Sequence, residues 1–205
     1  ALDNGYTVAT AVDDSPTAFG NYSPNNSNRK FRGLVTIREG IRSSINVVAV
    51  KIVNDLGPSR SAEYLQKFGL TTLETKSDKN GNNDMNLAAL ALGGMTKGVK
   101  PIEMAAAYGA IANNGVLIKP ISFTKVLDRE GNVILENKLQ KSIVVSPQVS
   151  YLTIDIMKNV ITGGTGTKAA LKNMPVAGKT GTTTEGKDAW FIGYTPYYTA
   201  AVWIG

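Results

Sequence analysis

The residues of this chain that could do chemistry are concentrated in one short segment near its C-terminus. Residues 176–183 read Val-Ala-Gly-Lys-Thr-Gly-Thr-Thr, at the predicted start of a β-strand. The segment presents one cation, Lys179, beside several hydroxyls, which is a compact way to bind an anionic ligand. Gly178 and Gly181 carry no Cβ, so a substrate backbone could lie against this edge like an added strand. Taken alone, however, Lys179 is better explained as a solvated charge on a strand.

A second polar element lies far upstream, at Ser44-Ile45-Asn46. Thr36 and Glu39 have capping-box spacing, in which each side chain satisfies a backbone N–H, and this predicts a short helix beginning there. The apolar run from Val47 to Leu56, ended by Gly57, predicts a second, buried helix. Ser44 and Asn46 therefore lie at a junction between helices, where polar side chains can face a cleft. Taken alone, they are better explained as capping residues.

Composition narrows the possible functions. The 205 residues suit one domain, and their net charge of +6 is a mild basic excess. The chain has no cysteine and no histidine, which excludes disulfides, Ser-His-Asp or Cys-His catalysis and metal sites built on these residues. No basic cluster is interleaved with aromatic residues, so we expect no nucleic-acid partner. No apolar run is long enough to span a membrane.

The remaining patterns predict helices followed by strands. Residues 1–14 show no helical or strand period long enough to stand alone. The composition of residues 15–30 and 75–84 predicts loops. A β-hairpin is predicted over 116–137, around a turn at 129–132. Further helices are predicted over 58–68, 87–92, 101–112 and 146–162, and strands over 189–194 and 198–204 after the Lys-Thr-Gly segment. The class is α+β, with a C-terminal antiparallel meander of three strands packed with helices.

One glycine-rich segment could be mistaken for a phosphate-binding loop. Residues 163–167 read Gly-Gly-Thr-Gly-Thr, but they lack the Gly-Lys-Ser/Thr ending that seats phosphates. We predict that this segment is only a connector.

The two polar elements, in this order and with their surroundings, identify a resemblance. Phe31 to Glu39 leads into Ser44-Ile45-Asn46-Val47, and Ala177 to Thr183 is followed by Asp188-Ala-Trp-Phe-Ile-Gly-Tyr194. Together with Gly57-Pro58 and Phe68-Gly69, these residues resemble the transpeptidase domain of class A penicillin-binding proteins. The likeness covers most of the chain. It implies the fold shared by serine β-lactamases and these transpeptidases, with residues 1–205 as one partial domain.

The resemblance also implies an activity, a peptidoglycan D,D-transpeptidase that forms a serine acyl-enzyme and is acylated by β-lactams. Ser44 would relay a proton to the leaving amine, and Asn46 would bind the substrate backbone. Lys179 would supply positive potential. Thr180 and Thr182 would bind the substrate carboxylate beside Gly181 and Thr183, with the Thr182 N–H as half of the oxyanion hole. No metal or cofactor is implied.

The sequence departs from the family at the nucleophile, which belongs to a Ser-x-x-Lys motif upstream of Ser-x-Asn. Ser27 and Lys30 match the letters but lie in the Asn-rich loop. Ser122 and Lys125 also match, but they follow Ser44 and lie in a predicted strand, where residues three apart face opposite sides. We therefore expect the nucleophile in a preceding segment of the same protein, without which this chain is inert and with which it associates.

Two other functions remain open at this stage. A β-lactamase would need a carboxylate to activate water, and only Glu63, Glu74 and Glu103 are left as candidates. A non-catalytic penicillin-recognising sensor or scaffold would keep the fold without turnover. Trp190, Phe191 and Trp203 are expected in the core, and Asp188 is expected to be a turn residue or an ion-pair partner. The expected location is the extracytoplasmic face of a bacterial membrane, with the anchor outside these residues, and the expected ligands are stem peptides and β-lactams.

Overall fold

The computed structural model describes residues 1–183 and 186–205. Within them the helices are α1 (Ile37–Arg42), α2 (Asn46–Leu56), α3 (Pro58–Lys67), α4 (Leu87–Leu92), α5 (Pro101–Ala112) and α6 (Pro147–Gly163). The strands are β1 (Ala11–Asp14), β2 (Gly33–Thr36), β3 (Val116–Ile118), β4 (Lys125–Leu127), β5 (Val133–Glu136), β6 (Lys141–Ile143), β7 (Ala177–Thr182), β8 (Ala189–Tyr194) and β9 (Thr199–Ile204). All strand pairs are antiparallel, so the predicted α+β class is confirmed.

The largest sheet is the C-terminal meander, in the order β7-β8-β9. Helices α5 and α6 pack against it, α6 on β7 and α5 on β8 and β9. Ile111, Val145, Ala177 and Tyr194 form the buried cluster between these helices and the sheet. The sheet and α6 therefore hold the Lys-Thr-Gly strand in a rigid setting.

Local signals in the sequence explain where the helices begin. Proline occupies the first turn of α3, α5 and α6, where its missing N–H costs nothing. The side chains of Thr36, Asn86 and Ser146 each accept a hydrogen bond from a first-turn N–H of α1, α4 and α6. The capping box at Thr36 is only half formed, because the Glu39 carboxylate binds side chains instead of the Thr36 N–H.

Two predictions about the strands are corrected. The opening residues, which show no helical or strand period long enough to stand alone, contribute β1, which pairs with the unpredicted β2. The predicted hairpin over 116–137 is shorter, formed by β4 and β5 around the predicted turn, while β3 pairs with β6. A strand of three or four residues carries too little alternation to be recognised, and pairing with a distant segment stabilises it.

None of the helices among the described residues is both long and apolar enough to cross a bilayer.

Candidate active site

Ser44 lies at the corner between α1 and α2 in an unusual backbone conformation. Its φ is 54°, in the left-handed region that costs a non-glycine residue about 1–2 kcal/mol. Its N–H is satisfied by the carbonyl of Ile41 at 3.2 Å, and its neighbours Ile45 and Val47 are buried. Packing on both sides therefore holds the strained corner, which turns the Ser44 side chain away from the core.

The Asn-rich loop before this corner caps α2 from a distance. Asn26, which is buried, accepts a hydrogen bond from the Val47 N–H at 3.2 Å and donates to Asp14 at 2.8 Å. Asn46 Nδ2 donates to the carbonyl of Asn25 at 2.9 Å. Composition predicted a loop but not this support, so the sequence analysis missed Asn26 and Asp14. The adjacent residues Asn25 and Asn26 were the available signal.

A charged network stiffens the same corner. The Glu39 carboxylate accepts hydrogen bonds from Ser43 at 2.6 Å, Arg32 at 2.7 Å and Arg42 at 3.1 Å. The hydrogen bond from Ser43 is the main reason that the pKa of Glu39 lies below its usual value, with Arg42 and Arg32 adding to it. Glu39 therefore stays ionised and links Arg32, before β2, to the C-terminal end of α1.

Lys179 reaches this corner from strand β7. Its Nζ donates to Ser44 Oγ at 2.8 Å and to the carbonyl of Thr180 at 2.8 Å. Among the residues that the structure describes, no carboxylate forms an ion pair with Lys179. Burial without a compensating anion lowers the pKa of Lys179 to about 8.

The arrangement of Ser44 and Lys179 has two chemical consequences. An ammonium without a protein anion favours an anionic ligand in the same pocket. Because Lys179 donates to the Ser44 oxygen, the Ser44 hydrogen is left to point at another acceptor, and the pair can pass a proton. The structure thus brings together two predicted residues that are 135 positions apart.

The other predicted residues of the segment lie along β7 and just after it. Thr180 Oγ1 lies 2.6 Å from Thr165 Oγ1, and Gly181 pairs with Trp190. Thr182 is exposed at the end of the strand. The Thr183 hydroxyl is engaged by Asp188, donating to its carboxylate at 3.1 Å and accepting from its N–H at 2.8 Å. Substrate roles for these residues remain predictions.

Gly178 packs closely against the neighbouring strand β8. A Cβ there would lie 2.7 Å from the carbonyl oxygen of Ile192 and 3.0 Å from the Cα of Gly193. At Gly181 the nearest atom would be the Trp190 Cβ at 3.3 Å. The packing of β8 therefore explains why residue 178 is a glycine. Strand β7 has a strand neighbour on one side only among the described residues, and binding of a substrate backbone along its other edge stays a prediction.

The segment 163–167, predicted to be only a connector, also reaches the site. Thr165 contacts Thr180, and its N–H donates to the carbonyl of Arg42 at 3.3 Å. The Gly-Gly-Thr-Gly-Thr pattern was the signal that could have identified it.

Neither alternative Ser-x-x-Lys match lies on a helix. Ser27 lies in a turn, although it lines the same shallow depression as Ser44. Ser122 lies in a bend just before β4, not in the strand as predicted, and only Lys125 is within β4. In neither match, therefore, does a helix turn place the serine and the lysine on one face.

The remaining candidates lie elsewhere. Glu74 pairs with Lys97, and Glu103 binds Thr71 and Lys100. Glu63 is exposed on α3.

The aromatic residues near the meander are less buried than predicted. Trp203 is 48% exposed and its Nε1 donates to Asp188 at 2.8 Å, so it is not a core residue. Trp190 and Phe191 are only partly buried. Asp188 lies directly before β8 and forms hydrogen bonds with Thr183 and Trp203.

Comparison with known proteins agrees with this geometry. The family model of the penicillin binding protein transpeptidase domain matches residues 1–205. Penicillin-binding protein 1A of Clostridium acetobutylicum is 42% identical over 210 residues, which cover 97% of this chain and 25% of that protein. Penicillin-binding protein 1A of Clostridium perfringens is 38% identical over 220 residues, covering 100% of this chain and 31% of that protein. The chain thus spans about a quarter to a third of the length of these relatives.

Solved structures share the fold. Penicillin-binding protein 1A of Haemophilus influenzae superposes with a TM-score of 0.84 at 23% identity, over 100% of this chain and 35% of that one. PonA1 of Mycobacterium tuberculosis in complex with penicillin V gives 0.83 at 25% identity, over 100% of this chain and 56% of that one. On the match over its whole length, the chain belongs to the transpeptidase-domain family of the penicillin-binding proteins.

Proposed function

We propose that this chain forms the proton-relay and carboxylate-binding part of a peptidoglycan D,D-transpeptidase that works through a serine acyl-enzyme. The observation that carries the proposal is the contact of 2.8 Å between Lys179 Nζ and Ser44 Oγ, with no protein anion paired to the lysine among the described residues. Family membership and the penicillin V complex of PonA1 support the same activity.

The proposed reaction has two steps. The oxygen of a serine forms a bond to the carbonyl carbon between two terminal D-alanines, the C–N bond breaks, and D-alanine leaves. Ser44 passes the proton released by the attacking serine to the departing amine, so D-alanine leaves with a neutral amine. An amine of a neighbouring stem peptide then attacks the acyl carbon, the ester bond to the serine breaks, and the amine proton returns through Ser44 to the serine oxygen, which leaves the cross-link. A β-lactam takes the place of the dipeptide and leaves the serine acylated.

In this proposal, the described residues bind different parts of the substrate. Lys179 and the hydroxyls of Thr180 and Thr182 bind the terminal carboxylate, and the Thr182 N–H stabilises the oxyanion. Asn46, whose Nδ2 donates to the carbonyl of Asn25, binds the substrate backbone amide through its oxygen, which accepts no hydrogen bond from the described residues.

The nucleophile, its lysine and the second oxyanion donor come, on this proposal, from a segment of the same protein outside these 205 residues. The complete domain acts on stem peptides at the extracytoplasmic face of the membrane.

The test is the rate of acylation by a fluorescent penicillin in the full-length protein that contains this chain. Lys179→Met keeps the length of the side chain and removes its charge, and we expect the second-order rate constant to fall about 100-fold or more. The matched control is Lys158→Met, since Lys158 is exposed on α6 and should leave the rate unchanged.

The outcomes separate the alternatives. A folded Lys179→Met variant that is acylated at the unaltered rate would refute the proposal. Rapid hydrolysis of penicillin by the unaltered protein would indicate a β-lactamase. Absence of acylation would indicate a scaffold.

A further inference from the structure

The turn that follows α6 contacts both halves of the site. On one side, Thr165 Oγ1 lies 2.6 Å from Thr180 Oγ1 on β7. On the other side, the Thr165 N–H donates to the carbonyl of Arg42 at 3.3 Å. Arg42 lies two residues before Ser44, at the end of α1. One residue therefore contacts the strand of Lys179 and the helix that leads to Ser44.

The side chain of Arg42 strengthens this contact. Its Nε and Nη2 donate to the carbonyl of Gly163 at 3.1 and 2.8 Å, while its Nη1 donates to Glu39 at 3.1 Å. A guanidinium that forms several hydrogen bonds in a fixed plane sets the orientation of its partner as well as its distance. The end of α6 is thus fixed on the charged network that supports the Ser44 corner.

The two glycines explain how the turn approaches so closely. A Cβ at Gly164 would lie 2.3 Å from the carbonyl oxygen of Arg42, and one at Gly163 would lie 2.9 Å from its Nη2. A larger residue at position 164 would push the turn, and Thr165 with it, away from α1, because the atom in its way belongs to the backbone of Arg42.

We propose that Thr165 is a positioning residue for carboxylate recognition by Thr180. This inference rests on the proposed function, in which Thr180 donates a hydrogen bond to the carboxylate of the substrate or the β-lactam. A threonine hydroxyl has one hydrogen and two lone pairs. When Thr180 donates to the ligand, its oxygen can accept from Thr165, whose hydrogen then fixes the rotation of the Thr180 hydroxyl and polarises it.

A positioning role differs from a merely structural role in its dependence on the ligand. If Thr165 acts through Thr180, its hydroxyl matters for a ligand with a carboxylate and matters little for one without. If it only stabilises the turn, its loss affects both ligands equally.

The experiment compares acylation of the full-length protein by benzylpenicillin and by benzylpenicillin methyl ester, which lacks the anion. For Thr165→Val, which keeps the shape and removes the hydroxyl, we expect acylation by benzylpenicillin to fall about 5- to 10-fold, the worth of one hydrogen bond. Acylation by the ester should change less than about 2-fold. Thr165→Ser should restore most of the benzylpenicillin rate, and Thr167→Val, at an exposed site in the same segment, should change neither rate.

Three results would overturn the inference. These are an unchanged benzylpenicillin rate in Thr165→Val, an equal fall for both compounds, and a serine variant as slow as the valine variant. Melting temperatures of all variants show whether each one folds. Lys179→Met is measured in parallel. A large loss there with no selective effect at Thr165 rejects this inference and leaves the proposed function standing, whereas no loss at Lys179 rejects the proposed function itself.

Discussion

At the scale of single residues, Lys179 links structure to chemistry. It is partly buried, binds a hydroxyl and a carbonyl, and pairs with no carboxylate in the described part of the chain. Its pKa of about 8 means that it is mostly charged at neutral pH but can release a proton with little cost. A fully solvated lysine would attract an anion less strongly and would release its proton less readily.

This pKa predicts how acylation depends on pH. The second-order rate constant reports the ionisation of the free protein, so it should fall as pH rises through about 8, when Lys179 loses its charge. Lys179→Arg, which stays charged, should move this alkaline limb to higher pH. A pH series of acylation rates checks both statements, with Lys158→Arg as the control. An alkaline limb that stays at the same pH in Lys179→Arg would assign it to another group.

The same shift has a consequence for stability, with a definite sign. The pKa of Lys179 in the folded protein is below its usual 10.5, so between about pH 8 and 10.5 the unfolded chain binds more protons at this site. The contribution of Lys179 to stability therefore rises with pH across that window. Partial burial of Lys179 thus lowers the free energy of unfolding at neutral pH, and it also places in the site the charge that the proposed function uses.

At the scale of elements, the position of Lys179 depends on how closely β7 and β8 pack. Gly178 faces Gly193 across the ladder, and Phe191 fills the space that their side chains would take. The strand pair is thereby fixed one residue away from Lys179. Helix α6 packs on the same strand and ends in the turn that carries Thr165.

Gly178→Ala should be costly for this reason. The new methyl group would lie 2.7 Å from the backbone oxygen of Ile192, which cannot move without shifting β8. We expect a loss of about 1–3 kcal/mol in the free energy of unfolding, measured by urea denaturation. Gly94→Ala is the control, since a Cβ there meets nothing within 4 Å and Gly94 has an ordinary φ. Equal stability of the two variants would contradict the packing argument.

At the scale of the whole molecule, the elements that the sequence predicted are those with strong local signals. An apolar run ended by Gly57 predicted helix α2, and three consecutive strand patterns predicted the meander. The pairing of Ser44 with Lys179 was predicted only through the resemblance, because no local pattern connects residues 135 positions apart.

The strand and the site residue that the sequence did not predict depend on contacts between distant segments. Strand β1 is short and polar, and it exists because β2 pairs with it and Lys51 donates to the carbonyl of Asp13. Thr165 looked like part of a connector because its role depends on Arg42 and Thr180, which other elements supply. Sequence periodicity reports which face of an element is buried and not which neighbour buries it.

The outer strand of the meander leaves apolar surface exposed. Val202 and Ile204 on β9 are more than half exposed, and β9 has a strand neighbour on one side only within the described residues. Such a surface suits the proposal that another segment of the same protein completes the domain.

The central claim is that this chain supplies the relay and the carboxylate site but not the nucleophile. The most direct measurement is to acylate the full-length protein with penicillin, digest it, and locate the modified serine by mass spectrometry. We expect the adduct on a serine of a Ser-x-x-Lys sequence outside these 205 residues, with Ser27, Ser44 and Ser122 unmodified. An adduct on any of those three serines would refute the proposed division of roles and place the nucleophile within this chain.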